Sequence, residues 1–91
     1  MTSRRYEIEW TRSALRRLDH IPEKAAAACI EFIYGPLAEN PQRVGGELRL
    51  DLAGKRSARR GDFRVIYEID DKAGMVTIIA IDHRSDVYRP R

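Results

Sequence analysis

The sequence predicts an α+β fold: an N-terminal strand, an α-helical hairpin, then an antiparallel sheet of three to four strands packed on the helices. Three observations predict it. Residues 5–10 alternate apolar and charged side chains, residues 14–37 repeat apolar side chains every three or four positions, and residues 55–81 are extended segments separated by Gly-containing turns. The 91 residues (1–91) are expected to form one domain. A chain this short buries about 60–65% of the surface its unfolded form exposes. The 43% apolar content is that of a globular protein rather than a disordered one.

The first strand is Arg5-Tyr6-Glu7-Ile8-Glu9-Trp10, with Tyr6, Ile8 and Trp10 on one face. Thr11 follows as an N-cap, its hydroxyl placed to accept from the free amides of a first helical turn. Ala14, Leu15 and Leu18 give that helix an apolar side, with Arg12, Arg16 and Arg17 opposite, and it should end near Asp19-His20. Pro22 suits the first position of a second helix, where its missing N–H costs nothing, and Glu23 suits the positive end of the helix dipole. Ala26, Cys29, Ile30, Ile33 and Leu37 continue the stripe, and Gly35-Pro36 should break or kink it.

Residues 38–47 are turn formers and polar groups, so a loop is expected there. Leu48, Leu50 and Leu52 could form a short extended segment that ends at Gly54. Three strands then follow, over residues 55–60, 63–69 and 75–81, with a two-residue turn at Gly61-Asp62 and a five-residue loop from Asp70 to Gly74.

Charge narrows the function. Of the 17 basic residues, 14 are Arg, the side chain whose planar fork fits phosphate oxygens. Coding bias towards Arg accounts for such a composition equally well. The position of the cations is more informative: Lys55, Arg56, Arg59, Arg60 and Arg64 lie within ten residues around the Gly61-Asp62 turn. A two-residue turn sets Arg59 opposite Arg64, a like-charge pair that destabilises a sheet unless an anion binds there. Alternation sends Phe63, Val65, Tyr67 and Ile69 towards the helices, and Lys55, Ser57, Arg59 and Arg64 to the other face. A symmetric second hairpin sets Ala80 opposite Arg64, with Asp82 diagonal to it and Arg84 one step further.

The C-terminal segment adds His83, Arg84 and Tyr88. His titrates near neutral pH and can move protons. From the residues alone His83 reads first as a cap of the strand end, and Tyr88 reads either as a packing residue or as a base favoured by nearby cations. His20 at a helix end carries no chemistry. The lone Cys29 cannot form an internal disulfide and reads as a small core residue. No Cys/His cluster has metal-ligand spacing, so no metal and no cofactor are expected. There is no signal peptide and no apolar run long enough to span a membrane, so no membrane partner is expected and the cytoplasm is the expected location.

The series Gly54-x-x-Ser57-Ala58-Arg59-Arg60-Gly61-Asp62-Phe63-Arg64-Val65-Ile66-Tyr67, followed by His83-Arg84-Ser85-Asp86-Val87-Tyr88, resembles the RelE/ParE superfamily of bacterial toxins, most of all an actinobacterial RelE. The element order is also that family's, and the resemblance covers essentially the whole chain. It implies a toxin of a type II toxin–antitoxin pair. RelE toxins enter the ribosomal A site and cut mRNA without a metal: the ribose 2′-OH attacks the adjacent phosphate and leaves a 2′,3′-cyclic phosphate. The implied partners are a cognate antitoxin, the ribosome with its A-site rRNA, and mRNA.

The resemblance carries catalytic roles to Arg64 and Arg84 as phosphate-binding arginines, to Lys55 as the family lysine of the first hairpin strand, and to Tyr88 as general base or stacking platform. Arg59 matches a supporting basic position. Arg56, Arg60 and Ser57 join it as expected substrate contacts. Ser57 stands where the best-known RelE has a second lysine, and Ser cannot stabilise negative charge as a cation does. His83 is expected to supply acid or base, as a His near the terminal Tyr does in related toxins. The alternatives are a ParE-like DNA gyrase inhibitor, or an inactive homologue that binds antitoxin. The joint presence of Arg64, Arg84 and Tyr88 favours RelE.

Overall fold

The computed structural model describes residues 5–48 and 54–83. The elements are β1 (Glu7–Trp10), α1 (Arg12–Leu18), α2 (Glu23–Phe32), a π-helical turn (Ile33–Leu37), α3 (Pro41–Val44), β2 (Gly46–Glu47), β3 (Arg56–Arg60), β4 (Phe63–Asp70) and β5 (Met75–His83). The strands form one sheet in the order β1-β5-β4-β3-β2, with β1 parallel to β5 and every other pair antiparallel. This is the α+β fold expected, with the N-terminal strand joined to the sheet beside its last strand.

The core lies between one sheet face and the helices. Ala14 comes from α1, Cys29, Ile33 and Leu37 from the second helical path, and Ala58, Val65, Tyr67, Val76, Ile78 and Ile81 from the sheet. Tyr6, Ile8 and Trp10 pack against it, as the alternation in β1 predicts. Each fully buried Ile, Leu or Val contributes about 1.5–3 kcal/mol through loss of apolar surface.

Thr11 caps α1 as predicted: its Oγ1 accepts from the Ala14 amide at 3.2 Å. The same hydroxyl donates to the Ile79 carbonyl at 3.0 Å, which ties the helix start to β5. Pro22 stands one residue earlier than expected, as the N-cap of α2 rather than its first residue.

Two expectations are corrected. Gly35-Pro36 disturbs the second helix as expected but does not break it: the chain widens into the π-helical turn and stays helical to Glu39. A proline inside a helix clashes with the carbonyl four residues back, and the wider turn relieves that clash. The 38–47 stretch is not all loop, since it contains α3 and β2. Pro41 opens α3, where its fixed φ suits a first turn, and it is buried. Of the expected 48–52 segment, Leu48 donates to the Lys55 carbonyl at 2.9 Å, and residues 49–53 lie outside the described residues.

The β3–β4 turn is as read from the sequence: Arg60 pairs with Phe63 and Arg59 with Arg64, and Gly61 adopts φ +63°. The β4–β5 hairpin differs twice. Its loop is four residues, 71–74, because Asp70 pairs with Met75. A β-bulge then falls where Ile66 pairs with Ala80 but Tyr67 pairs with Ile78, leaving Ile79 as the extra residue. The shorter loop alone moves β5 by one position and reverses its faces. The bulge moves it by one more and restores them. Asp82 therefore sits directly opposite Arg64, where Ala80 was expected.

Candidate anion-binding face

The sheet face turned away from the helices is assembled by alternation in β3, β4 and β5. Ala58 and Val65 are buried against the helices, so their neighbours Ser57, Arg59 and Arg64 take the open side. Three side chains form a row across the sheet at the turn end: Arg59, Arg64 and Asp82. The next row is Ser57, Ile66 and Ala80. Lys55 precedes β3 on the same side, and its Nζ lies 3.4 Å from Glu68 Oε2. Lys55 and Arg59 are four residues apart, about 13 Å along an extended strand, so the face presents cations at two separated points.

The Arg59–Arg64 pair is the closest approach of two cations in the strand register of this face. Two guanidinium groups directly across a strand pair repel each other. Arg64 is half-buried, which raises the cost of that repulsion and the value of an incoming anion. A phosphate between them supplies oxygens that match the forked guanidinium geometry. Paired guanidinium groups of this kind are suited to stabilise charge that grows on a phosphate during transfer.

The other expected residues separate from this group. Arg56 lies on the helix side. Its Nη2 donates to the Gln42 carbonyl at 2.6 Å and the Gly45 carbonyl at 2.7 Å, which ties the end of α3 to β3. Beside it the Tyr67 hydroxyl donates to the Pro41 carbonyl at 2.6 Å. Burial pushes the Tyr67 phenol up, against the opposing pull of the Arg56 guanidinium. Arg60 also lies on the helix side, where it lines a shallow groove of about 260 Å³ with Ala25, Ala28 and Phe63. Burial pushes the nearby Cys29 thiol up, and the Arg60 charge opposes that shift.

His83 pairs with Phe63 across β4–β5, and the two rings meet edge to face with centroids 5.0 Å apart at 79°. It therefore stands on the Phe63 side of the sheet, opposite to Arg64, because adjacent residues of a strand point to opposite faces. Arg84 and Tyr88 lie outside the described residues. Of the nine expected site residues, the described face brings together Lys55, Ser57, Arg59 and Arg64, and leaves Arg56, Arg60 and His83 on the far side.

Two carboxylates beside these cations had no role in the sequence reading, although alternation put Glu68 on the Arg64 face and the expected register set Asp82 diagonal to Arg64. Glu68 lies against Lys55, and Asp82 completes the arginine row. The pairing rule for the first turn already opposes residue 55 to residue 68, so the Lys55–Glu68 contact was available from the sequence. The Asp82 position depends on the bulge and was not.

Residues 8–88 match the family described as the ParE toxin of type II toxin-antitoxin system, parDE. The chain is 55% identical over 84 residues to a protein named Toxin RelE from Mycobacterium tuberculosis, covering 92% of this chain and 87% of that one. It is 46% identical over 84 residues to Toxin RelG from the same organism, covering 92% of this chain and 97% of that one. Among solved structures, the toxin-antitoxin complex RelBE2 from M. tuberculosis contains a chain similar to this one with a TM-score of 0.87 at 44% identity, covering 93% of this chain and 98% of that one. With a cationic face on an α+β sheet, and relatives of this similarity across nearly the whole sequence, the chain belongs to the RelE/ParE superfamily of type II toxin–antitoxin toxins.

Proposed function

We propose that this chain is a ribosome-dependent, metal-independent mRNA endonuclease that cuts in the A site. The observation that carries the reading is the Arg59–Arg64 pair on the open sheet face. In the proposed reaction the RNA 2′-oxygen bonds to the adjacent phosphorus and loses its proton to a base. The P–O5′ bond breaks, and the 5′-oxygen takes a proton from an acid. The products are a 2′,3′-cyclic phosphate and a 5′-hydroxyl. The nucleophile belongs to the RNA, so the protein needs no Ser or Cys of its own. Its task is to stabilise the extra negative charge of the five-coordinate phosphorus, which falls to Arg64 with Arg59 and Lys55 in support. Arg84 and Tyr88 take the second arginine and the base or stacking role by their match to the family motif.

The proton steps fall to Tyr88 and His83. His83 stands at the end of β5 on the Phe63 side, so its role requires the RNA to pass around the end of the sheet. Each proton transfer typically contributes about 10²–10⁴-fold. A cognate antitoxin is the proposed protein partner, since the similar chain of known structure is part of a toxin-antitoxin complex. The proposed place of action is the cytoplasm. Among the described residues no helix is long and apolar enough to cross a membrane.

The test is primer extension on mRNA from cells expressing the toxin. Codon-phased cuts are expected, and Arg64→Ala should lower cleavage by about 10²–10³-fold, as loss of one charge-stabilising donor does elsewhere. Full cleavage by the Arg64→Ala protein removes this face from the reaction. His83→Gln cleaving at the wild-type rate removes His83 and leaves Arg64 in place. A second reading has support in the ParE family match: a toxin that poisons DNA gyrase. Intact mRNA together with gyrase-linked DNA breaks would establish that reading instead.

A further inference from the structure

Two carboxylates of the open face stand directly beside its cations. Glu68 Oε2 lies 3.4 Å from Lys55 Nζ, with the two side chains 48% and 29% exposed. Asp82 is the cross-strand partner of Arg64. Around the arginine row, Lys55, Arg59 and Arg64 stand against Glu68 and Asp82, and alternation in β1 and β4 sets Glu7, Glu9 and Asp70 further across the same face, so its described carboxylates outnumber its cations. For a surface that binds RNA phosphates, Glu68 and Asp82 have the wrong sign. Each lies within a Debye length, about 8–10 Å at ordinary salt, of a phosphate held by its neighbouring cation. Glu68 is exposed, and an exposed ion pair contributes little to folding, so its main energetic effect falls on the ligand.

We propose that Glu68 and Asp82 are specificity-determining residues: they hold the face's attraction for RNA below the level needed to capture loose single strands. The proposal rests on the reading of this face as an mRNA-cleaving site. Non-specific affinity for nucleic acid follows the number of phosphates that cations neutralise. A phosphate that reaches Lys55 displaces a carboxylate from it, so one ionic contact replaces another with little net gain. A phosphate at Arg64 feels the Asp82 charge beside it. A free strand must also lose translational and rotational freedom on binding, and this face is too weakly charged to offset that loss. A strand already fixed by a larger body has lost that freedom, so a weak face is sufficient for it. Discrimination between the two kinds of RNA arises from repulsion built into the site as much as from attraction.

The test measures binding of a 2′-O-methylated oligouridine, which cannot be cleaved, by fluorescence anisotropy over a salt series. The proteins are wild type, Glu68→Gln, Asp82→Asn and the double variant. Glu68→Gln should bind about two- to fivefold more tightly at low salt, the scale of an exposed ion pair. Its plot of log K against log salt should steepen by about 0.7, the contribution of one more neutralised phosphate on a single strand. The double variant should gain more than either single one, and cleavage of ribosome-free mRNA should rise with it. Unchanged affinity and salt slope in all three variants overturn the proposal. Ser57→Asp adds a further carboxylate beside the cations and should weaken binding, which keeps the idea testable if a neutralised variant fails to fold. Wild-type cleavage of ribosomal mRNA with no effect of the variants defeats this inference and leaves the proposed function standing. Tighter oligouridine binding by the variants without any wild-type mRNA cleavage defeats the proposed function and keeps the charge effect.

Discussion

At the scale of single residues, Tyr67 and Arg56 divide the basic hairpin into a structural side and a chemical side. Tyr67 is fully buried, and its hydroxyl serves the Pro41 carbonyl at 2.6 Å. Tyr67→Phe should cost about 1–3 kcal/mol, because it leaves that carbonyl without its donor, and urea unfolding will read the loss. Arg56→Lys should destabilise by about 1–3 kcal/mol as well, since the shorter side chain holds its ammonium back from the point where Nη2 meets both the Gln42 and Gly45 carbonyls. Alkaline pH tests the same core. Burial keeps the Cys29 thiol and the Tyr67 phenol protonated in the folded protein above their ordinary values of 9.0 and 10.0. The unfolded chain releases those protons first, so it binds fewer protons than the folded one and gains as pH rises. The stability they contribute is complete below pH 9.0 and should decline above it, first through Cys29 and then, above 10.0, through Tyr67. Cys29→Ala should remove the earlier part of the decline in urea midpoint and leave the later part.

At the scale of elements, the bulge in β5 decides what the open face contains. Thr11 holds it from outside, donating to the Ile79 carbonyl while accepting from the Ala14 amide. Thr11→Val keeps the shape and removes both bonds, so a loss of about 2 kcal/mol is expected in urea unfolding. Thr11→Ser should retain most of that stability. Close packing makes a parallel case at Gly45, where an added Cβ would lie 2.5 Å from the Ser57 carbonyl oxygen and 2.6 Å from the Tyr67 hydroxyl. Gly45→Ala should therefore cost about 1–3 kcal/mol by forcing β3 away from α3. These elements also mark how far the sequence could be read. The β3–β4 register was legible because Gly61-Asp62 is a recognisable two-residue turn between alternating strands. The β4–β5 register was not. Val76, Ile78, Ile79, Ala80 and Ile81 form a nearly continuous apolar run, and such a run carries no period to show which residue is the extra one. The π-helical turn was hidden for a related reason: Gly35-Pro36 signals a disturbed helix but not how wide a turn absorbs the disturbance.

At the scale of the whole molecule, the sheet joins the two ends of the described chain. β1 runs parallel to β5 from the Glu7–Met75 pair to the Trp10–Ile78 pair. The Thr11–Ile79 bond beyond them spans 68 residues of sequence. The alternation in residues 5–10 showed that β1 exists and which face it buries, but strand order depends on long-range pairing that no local pattern encodes. Contacts of such separation form late, because a long loop must close before they contribute. Ribosome-stalled chains that expose only β1 to β4 should remain sensitive to protease, and chains that also expose β5 should become resistant. This has a consequence for the timing of toxicity. A growing chain already carries Lys55, Arg59 and Arg64 once β4 has emerged, but it lacks the strand that holds β1 and supports β4. The cationic face is thus a property of the finished sheet, and on the proposed function toxicity should begin only after β5 has left the ribosome that makes it.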